Sequence, residues 1–142
     1  MTDPAILPRI QSSFDRQTMM QTFAARLIEA GNGHCVIRAP ILPTDLQQHG
    51  AAHAALAFGL GDSAAGYAAL TLLPYGAEVM TVEMKINLLA PAVGEALEAT
   101  GEVMRAGRRI TVVRAEVVAV EGASRKTVAL LQGTMIPVPP AS

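Results

Sequence analysis

The sequence predicts an α+β fold in which one antiparallel β-sheet wraps around a single long helix. Ala51–Leu73 is an apolar segment rich in Ala, Gly and Leu that runs from a polar turn to Pro74, and a proline cannot continue a helix. Downstream of this segment the hydrophobic period changes from helical to two, which is typical of strands that bury one face. An antiparallel sheet packed on one long helix accounts for both features.

Four strands are predicted after the long helix and one before it. In Met80–Leu88 apolar residues alternate with polar ones, so one face of this strand is expected to be buried and the other to face water. Gly101 and Gly133 on the inner faces would let the sheet curve tightly around the helix. The five predicted strands are 34–41, 80–88, 95–105, 110–120 and 127–138.

The N-terminal part of the chain is predicted to form an additional helix over residues 13–30. Ser13 can cap its start, apolar residues recur at helical spacing, and Gly31-Asn32-Gly33 ends it. The chain 1–142 is therefore expected to form a single domain with its core at about 33–138.

The composition is that of a globular protein, with 51% hydrophobic and 16% charged residues. A formal net charge of −1 gives no long-range attraction to nucleic acid, so no nucleic-acid partner is expected. The lone Cys35 excludes an internal disulfide and fits a reducing cytoplasm, which is the expected location. A carboxylate at the centre of the long apolar segment argues against a membrane span.

Asp62 is that carboxylate, and it is costly inside a buried helix unless it has partners or a task. Hydrogen bonds to nearby hydroxyls would give it a structural role. The alternative is catalysis, because the amides of His53 and Ala54 point out of the helix N-terminus and can bind developing negative charge. Asp62 lies roughly 12 Å further along the helix axis than Ala54. An active site that uses both therefore requires two subunits with antiparallel helices.

The same segment resembles the central helix of hotdog-fold acyl-CoA thioesterases, especially the phenylacetate-pathway (PaaI-like) branch. The family pattern is Asn or Gln, then roughly G-x-x-H-G-G, then an acidic residue nine positions after the His. The chain has Gln47, then Gly50-Ala51-Ala52-His53-Ala54-Ala55, then Asp62. The resemblance extends over Gly33 to Val138, because the chain also contains MTVEMKINLLAPAVGEALEATGEVMRAGRRITVVRAEVV and QGTMIPV. Ala54-Ala55 replaces the usual Gly-Gly, which keeps the backbone N–H but adds methyl groups beside an entering thioester.

The resemblance implies a hotdog fold, a homodimer with shared active sites and a dimer of two such dimers. It also implies that Gln47 hydrogen-bonds the thioester carbonyl, that the Ala54 N–H stabilises the oxyanion, and that Asp62 of the other subunit is nucleophile or general base. His53 would shape the turn at the helix start rather than transfer a proton. Thr81 stands where related enzymes place a hydroxyl that holds the water or the carboxylate, and an ordinary exposed threonine is the alternative.

Candidate substrate contacts lie in the turn before the long helix and in a basic hairpin. His49 and Gly50 belong to the turn, where a polar turn residue is the preferred interpretation of His49. Since no second His or Cys stands at ligand spacing, no metal site is expected. Arg105, Arg108 and Arg109 crowd the hairpin, and their forked donors suit the phosphates of coenzyme A, although charged hairpin tips are usually only solvated.

The predicted function is hydrolysis of an acyl-CoA thioester to a free acid and coenzyme A. No metal or redox cofactor is expected, since coenzyme A is part of the substrate. The first alternative is a hotdog enoyl-CoA hydratase or dehydratase, which would need a catalytic His with an acidic partner. The second is a non-catalytic acyl-CoA-binding protein. The acyl group is left open, and the candidate residues for its pocket are Met19, Met20, Phe58 and Tyr67.

Overall fold

A computed structural model describes residues 3–139 and contains one antiparallel sheet wrapped around a long helix, so the predicted α+β architecture is confirmed. The helices are α1 (Ile6–Asp15), α2 (Thr18–Thr22) and α3 (Ala54–Leu70). The strands are β1 (Arg26–Gly31), β2 (His34–Pro40), β3 (Glu78–Leu88), β4 (Ala96–Ala106), β5 (Thr111–Glu121) and β6 (Ser124–Val138). The sheet order is β1-β2-β4-β5-β6-β3, which places β1 and β3 at its two edges.

The helix α3 packs with its backbone almost directly on the sheet, because both sides of the contact carry small residues. An ideal Cβ built on Gly101 of β4 would lie 2.3 Å from the carbonyl carbon and oxygen of Ala64. On the same helix, Leu56 and Leu60 are almost fully buried and fill the space between α3 and the sheet. The expected role of Gly101 in bringing the sheet close to the helix agrees with this contact.

The predicted helix over 13–30 is wrong in its second half. After α1 and α2 the chain turns at Ala24, whose φ is 54°, and Arg26–Gly31 forms the edge strand β1. This strand pairs antiparallel with β2, for example Leu27 with Ile37. Pairing with an existing sheet supplies backbone hydrogen bonds and outweighs a weak helical preference of the isolated segment. The sheet therefore has six strands rather than the predicted five.

The predicted inner face of β3 is wrong in its first half because the strand contains a β-bulge. The register passes from Thr81↔Met135 to Glu83↔Thr134, so Val82 is an extra residue and the side-chain alternation shifts by one. Met80 and Val82 are consequently 58% and 57% exposed, while Thr81 faces α3.

The chain at the end of α3 is held by the Arg9 side chain of α1 and by the C-cap residue Thr71. The helix ends at Leu70, three residues before the predicted end. The guanidinium of Arg9 in α1 donates to the carbonyls of Leu73 (2.8 Å) and Pro74 (2.9 Å). The Thr71 hydroxyl donates to the carbonyl of Ala68. None of the helices within residues 3–139 combines the length and apolar character that crossing a membrane needs.

We expect Gly101→Ala to lower the free energy of unfolding by about 3 kcal/mol, because the added methyl meets the α3 backbone, which cannot rotate away. The matched control is Gly66→Ala within α3, where the nearest neighbour of the new Cβ would be 3.7 Å away. That variant should gain about 1 kcal/mol from higher helix propensity. Urea unfolding followed by circular dichroism measures both, and equal effects of the two substitutions would contradict the close contact.

Candidate active site

At the N-terminus of α3, the backbone N–H of Ala54 has no hydrogen-bond partner in the part of the chain that the structure describes. His53 is the N-cap, and its Nδ1 accepts a hydrogen bond from the Ala55 N–H at 2.8 Å. The His53 N–H in turn donates to the carbonyl of Asp45 at 2.8 Å. The Ala54 N–H makes no hydrogen bond to any of residues 3–139, so it is free to bind an oxygen of a ligand.

Ala54 lines a cavity of about 580 Å³ between the start of α3 and the chain that follows β3. Gln47 also lines this cavity, and its side-chain Oε1 accepts a hydrogen bond from the His49 N–H. The amide nitrogen of Gln47 is therefore the end of the side chain that can donate to a ligand carbonyl. The cavity is closed on the far side by residues 88–92, and the Ala52 N–H is bonded to the carbonyl of Ala92.

Asp62 lies in a second cavity, of about 250 Å³, on the side of α3 that faces the edge strand β3. Its Oδ1 accepts a hydrogen bond from the Thr81 hydroxyl at 2.8 Å. The same hydroxyl lies 3.2 Å from the Met135 sulfur, but it has one proton, and an ionised carboxylate is the stronger acceptor. Asp62 is half-buried rather than fully buried as expected, because β3 is the edge of the sheet.

The two groups of predicted site residues lie in separate cavities of one subunit. Gln47, His53 and Ala54 line the first, Asp62 and Thr81 line the second, and the two linings share no residue. The separation along α3 is eight residues, or roughly 12 Å. A single thioester carbonyl therefore cannot reach both groups within one subunit.

Thr81 differs from the expectation in its orientation. It was expected on the water-facing side of its strand, whereas the bulge at Val82 turns its side chain inward to Asp62. The hydroxyl therefore holds one oxygen of the carboxylate and leaves the other, Oδ2, without a hydrogen bond from the described residues.

The remaining candidates are surface residues. His49 and Gly50 are exposed in the turn before α3 and do not line either cavity, and Gly50 adopts a φ of 89° that favours glycine. The arginines of the β4–β5 hairpin are exposed and form no ion pair with any part of the chain that the structure describes: Arg105, Arg108 and Arg109.

No histidine near either cavity has an acidic partner. Within residues 3–139, His34 is the histidine that pairs with a carboxylate, and its partner is Glu29 at 3.4 Å in the β1–β2 hairpin. His53 uses Nδ1 for the helix cap. The His–acid dyad that a hydratase would need is therefore not formed by His49 or His53 in this subunit.

The sequence did not predict a hydrogen-bond network of polar residues beside Asp62. Gln17, in the connection between α1 and α2, donates from its side-chain amide to the Tyr67 hydroxyl at 2.8 Å. Ser13 of α1 lies 3.2 Å from the same hydroxyl. Ser13 and Gln17 stand four residues apart, but nothing in the sequence shows that α1 would pack against α3.

The comparisons with known proteins agree with this fold. Residues 49–125 match the family model described as the thioesterase superfamily. The structure is similar to a thioesterase family protein from Silicibacter pomeroyi, with 35% identity, a TM-score of 0.89 and coverage of 92% of this chain and 96% of that one. A comparison with curated proteins found no match. The chain belongs to the thioesterase superfamily, which confirms the predicted enzyme class, a thioester hydrolase.

Two further solved structures share the fold. The PaaI protein of Escherichia coli, from the phenylacetic acid degradation operon, is 22% identical, with a TM-score of 0.84 and 94% coverage of both chains. The Haemophilus influenzae thioesterase HI1161 is 15% identical, with a TM-score of 0.83 and coverage of 96% of this chain and 92% of that one. Together with the sheet and helix described above, they confirm the predicted hotdog fold.

We expect His53→Ala to lower the free energy of unfolding by about 1 kcal/mol, because the Ala55 N–H loses its cap. His53→Asn should retain most of that stability, since Asn is a good N-cap. His49→Ala is the matched control, because only the backbone N–H of His49 is bonded. Thermal unfolding compares the three variants, and equal losses in His53→Ala and His49→Ala would contradict the capping role.

Proposed function

We propose that the protein is an acyl-CoA thioesterase that works as a homodimer with two shared active sites. The observation that carries this proposal is the division of the site residues between two cavities of one subunit, about 12 Å apart along α3. A twofold axis that sets two α3 helices antiparallel would bring Ala54 of one subunit beside the partner subunit's Asp62. Membership of the thioesterase superfamily supports the reaction class.

The surface beside Asp62 supports a dimer of this kind. The strand β3 is an edge of the sheet, and its outward side chains Met80 and Val82 are more than half exposed. An exposed edge strand with apolar side chains is a ready site for pairing with another strand. Two β3 strands paired antiparallel would extend the sheet across both subunits, and they would place the two α3 helices side by side on its concave face.

In the proposed site the carbonyl oxygen of the thioester accepts hydrogen bonds from the Ala54 N–H and the Gln47 side-chain amide. Charge that develops on this oxygen is stabilised at the N-terminus of α3, and one such donor is typically worth about 3 kcal/mol of barrier. The helix N-terminus adds the favourable end of its dipole. The His53 cap supports this arrangement indirectly, because it occupies the Ala55 N–H and leaves that of Ala54 to the substrate.

Asp62 acts on the carbonyl carbon from the other side, as general base or as nucleophile. As a base it takes a proton from water, the water oxygen bonds to the carbonyl carbon, and the C–S bond breaks to release coenzyme A, which receives the proton. As a nucleophile its oxygen bonds to the carbonyl carbon and the C–S bond breaks, which gives a mixed anhydride and the coenzyme A thiolate. Water then hydrolyses the anhydride to the free acid and the Asp62 carboxylate, and the thiolate takes the proton that water releases. Thr81 holds Oδ1 in both cases, so Oδ2 is the reacting oxygen.

The coenzyme A phosphates are assigned to the basic hairpin Ala106–Thr111 and its flanks. Arg105, Arg108 and Arg109 have no ion-pair partner among residues 3–139. Guanidinium groups suit phosphates through paired donors. The hairpin lies at the level of Asp62 in the sheet, since Thr111 and Thr81 both pair with Met135.

We also propose a dimer of dimers, which the family resemblance implies. We further propose a cytoplasmic location, because the free, buried thiol of Cys35 fits a reducing compartment.

Asp62→Asn should lower the rate of coenzyme A release at least about a hundredfold, because it removes the base or nucleophile. Asp15→Asn is the matched control, since Asp15 is exposed at the end of α1 and should leave the rate unchanged. A thiol reagent measures coenzyme A release from a panel of acyl-CoAs. Unchanged turnover in Asp62→Asn would reject the assignment, and binding without turnover by the wild type would favour a non-catalytic protein.

Ala54→Pro should lower kcat about a hundredfold or more, because it deletes the free N–H and little else. Proline is well tolerated at the first position of a helix, and His53, with φ −61° and ψ 144°, has the extended conformation that precedes proline. Ala54→Gly keeps the N–H and is the matched control. Full activity of Ala54→Pro with an intact thermal transition would exclude this N–H as the oxyanion donor.

Mixing these two inactive variants tests the shared site. A mixed dimer of Asp62→Asn and Ala54→Pro contains one site with both defects and one site with neither. Random reassociation after mild denaturation should therefore restore about a quarter of wild-type activity, since half of the dimers are mixed and each has one intact site. A site built within one subunit would give no recovery.

A further inference from the structure

The cavity beside Asp62 has a polar wall that the proposed reaction does not use. Its centre is the Tyr67 hydroxyl, which accepts a hydrogen bond from the Gln17 side-chain amide (2.8 Å) and shares another with Ser13 (3.2 Å). The Ser63 hydroxyl approaches the other end of the Gln17 amide at 3.5 Å. The four residues come from α3 and from the N-terminal segment around α1, and all of them line the cavity of Asp62.

The hydroxyls of Ser13 and Tyr67 leave one proton for a ligand. Each hydroxyl has one proton, and their mutual hydrogen bond uses one of the two. Gln17 donates to Tyr67 and so uses neither proton. No other acceptor for these two hydroxyls exists among residues 3–139. Whichever way the pair is oriented, the wall presents one O–H donor to the cavity.

The position of this donor and the size of the cavity match the acyl part of a thioester. Tyr67 lies five residues beyond Asp62 on α3, or about 7.5 Å further along the axis. The cavity of about 250 Å³ is smaller than the roughly 300–1,000 Å³ of whole-ligand pockets, so coenzyme A cannot occupy it. A carbonyl carbon held at Asp62 would therefore extend its acyl chain towards Tyr67.

The charge of the cavity excludes one class of acyl group. Asp62 and Glu78 are the ionisable acids in its lining, and no Lys or Arg lines it. Arg16 lies 4.0 Å from Glu78 and offsets part of its charge, but Asp62 has no cationic partner among residues 3–139. An acyl group with a second carboxylate would therefore be repelled, chiefly by Asp62. Its remaining wall is apolar, with Leu70, Val79 and Met135, so an uncharged chain fits.

We propose that the enzyme selects an uncharged acyl group that carries an oxygen, as a hydroxyl or a ketone, near its distal end. Ser13 and Tyr67 are then specificity-determining residues, because their spare proton is donated to that oxygen. A site with a hydrogen-bond donor favours the substrate that accepts the bond. A plain acyl chain would displace water from the donor and leave it without an acceptor. This inference rests on the proposed thioesterase function and adds the class of acyl group.

The test compares matched acyl-CoAs of four to eight carbons, each as the plain chain, the ω-hydroxy chain and the ω-carboxy chain. For at least one length the wild type should show a kcat/KM about tenfold higher for the hydroxylated chain than for the plain chain. The carboxylated chain should be the poorest of the three. The double variant Ser13→Ala/Tyr67→Phe should lose the preference, so that its kcat/KM values for the hydroxylated and the plain chain become equal.

The single variants give a signature that a purely structural role would not. Ser13→Ala leaves the Tyr67 proton free and Tyr67→Phe leaves the Ser13 proton free, so each should keep part of the preference that the double variant loses. Tyr75→Phe is the matched control, because Tyr75 is 84% exposed and lies outside this cavity. It should retain the wild-type preference.

The outcomes separate this inference from the function on which it rests. Hydrolysis of plain and hydroxylated chains at equal kcat/KM overturns the inference and leaves the thioesterase function in place. An equal loss for both chains in the double variant also overturns it, since that result indicates damage to the fold. A wild type that hydrolyses no member of the panel overturns the function and the inference together.

Discussion

The close packing of the α3 backbone on the sheet is the constraint on which the rest of the structure depends. Because Gly101 has no side chain, the α3 backbone at Ala64 lies directly against β4. With the helix so near, its two ends and its middle are fixed relative to the strands. Ala54 is then held at one end of the sheet and Asp62 beside the edge strand β3. The distance between donor and acid follows from helix geometry and not from flexible loops.

Most of the fold could be predicted because its signals are local. The long apolar segment, the period-two strands and the turn residues each depend on a few neighbouring positions, and the predicted positions of α3 and of β2, β4, β5 and β6 agree with the structure to within about three residues. The segment Arg26–Gly31 could not be assigned in the same way. Its apolar spacing also suits a helix, and only the nearby β2 makes it a strand.

The sequence predicted those site residues that lie close together in one segment of the chain. Gln47, His53, Ala54 and Asp62 stand in a recognisable order along 16 residues of sequence. The orientation of Thr81 could not be predicted, because the bulged residue Val82 reverses the face of every residue before it in the strand. The Ser13–Gln17–Tyr67 network could not be predicted either, since it depends on how α1 docks across α3.

The β-bulge at Val82 affects both the orientation of Thr81 at the acid and the apolar surface of the sheet edge. Because of the extra residue, Thr81 turns towards the carboxylate while Met80 turns to the outside of the sheet edge. If Val82 were paired in the ladder instead of bulged, every residue before it would shift by one place along β6. That shift would turn the Thr81 hydroxyl away from Asp62 and turn Met80 to the inner face of the sheet in a single step. The contact between Thr81 and Asp62 and the apolar edge of β3 therefore both depend on one bulge, and a change in the bulge would alter both.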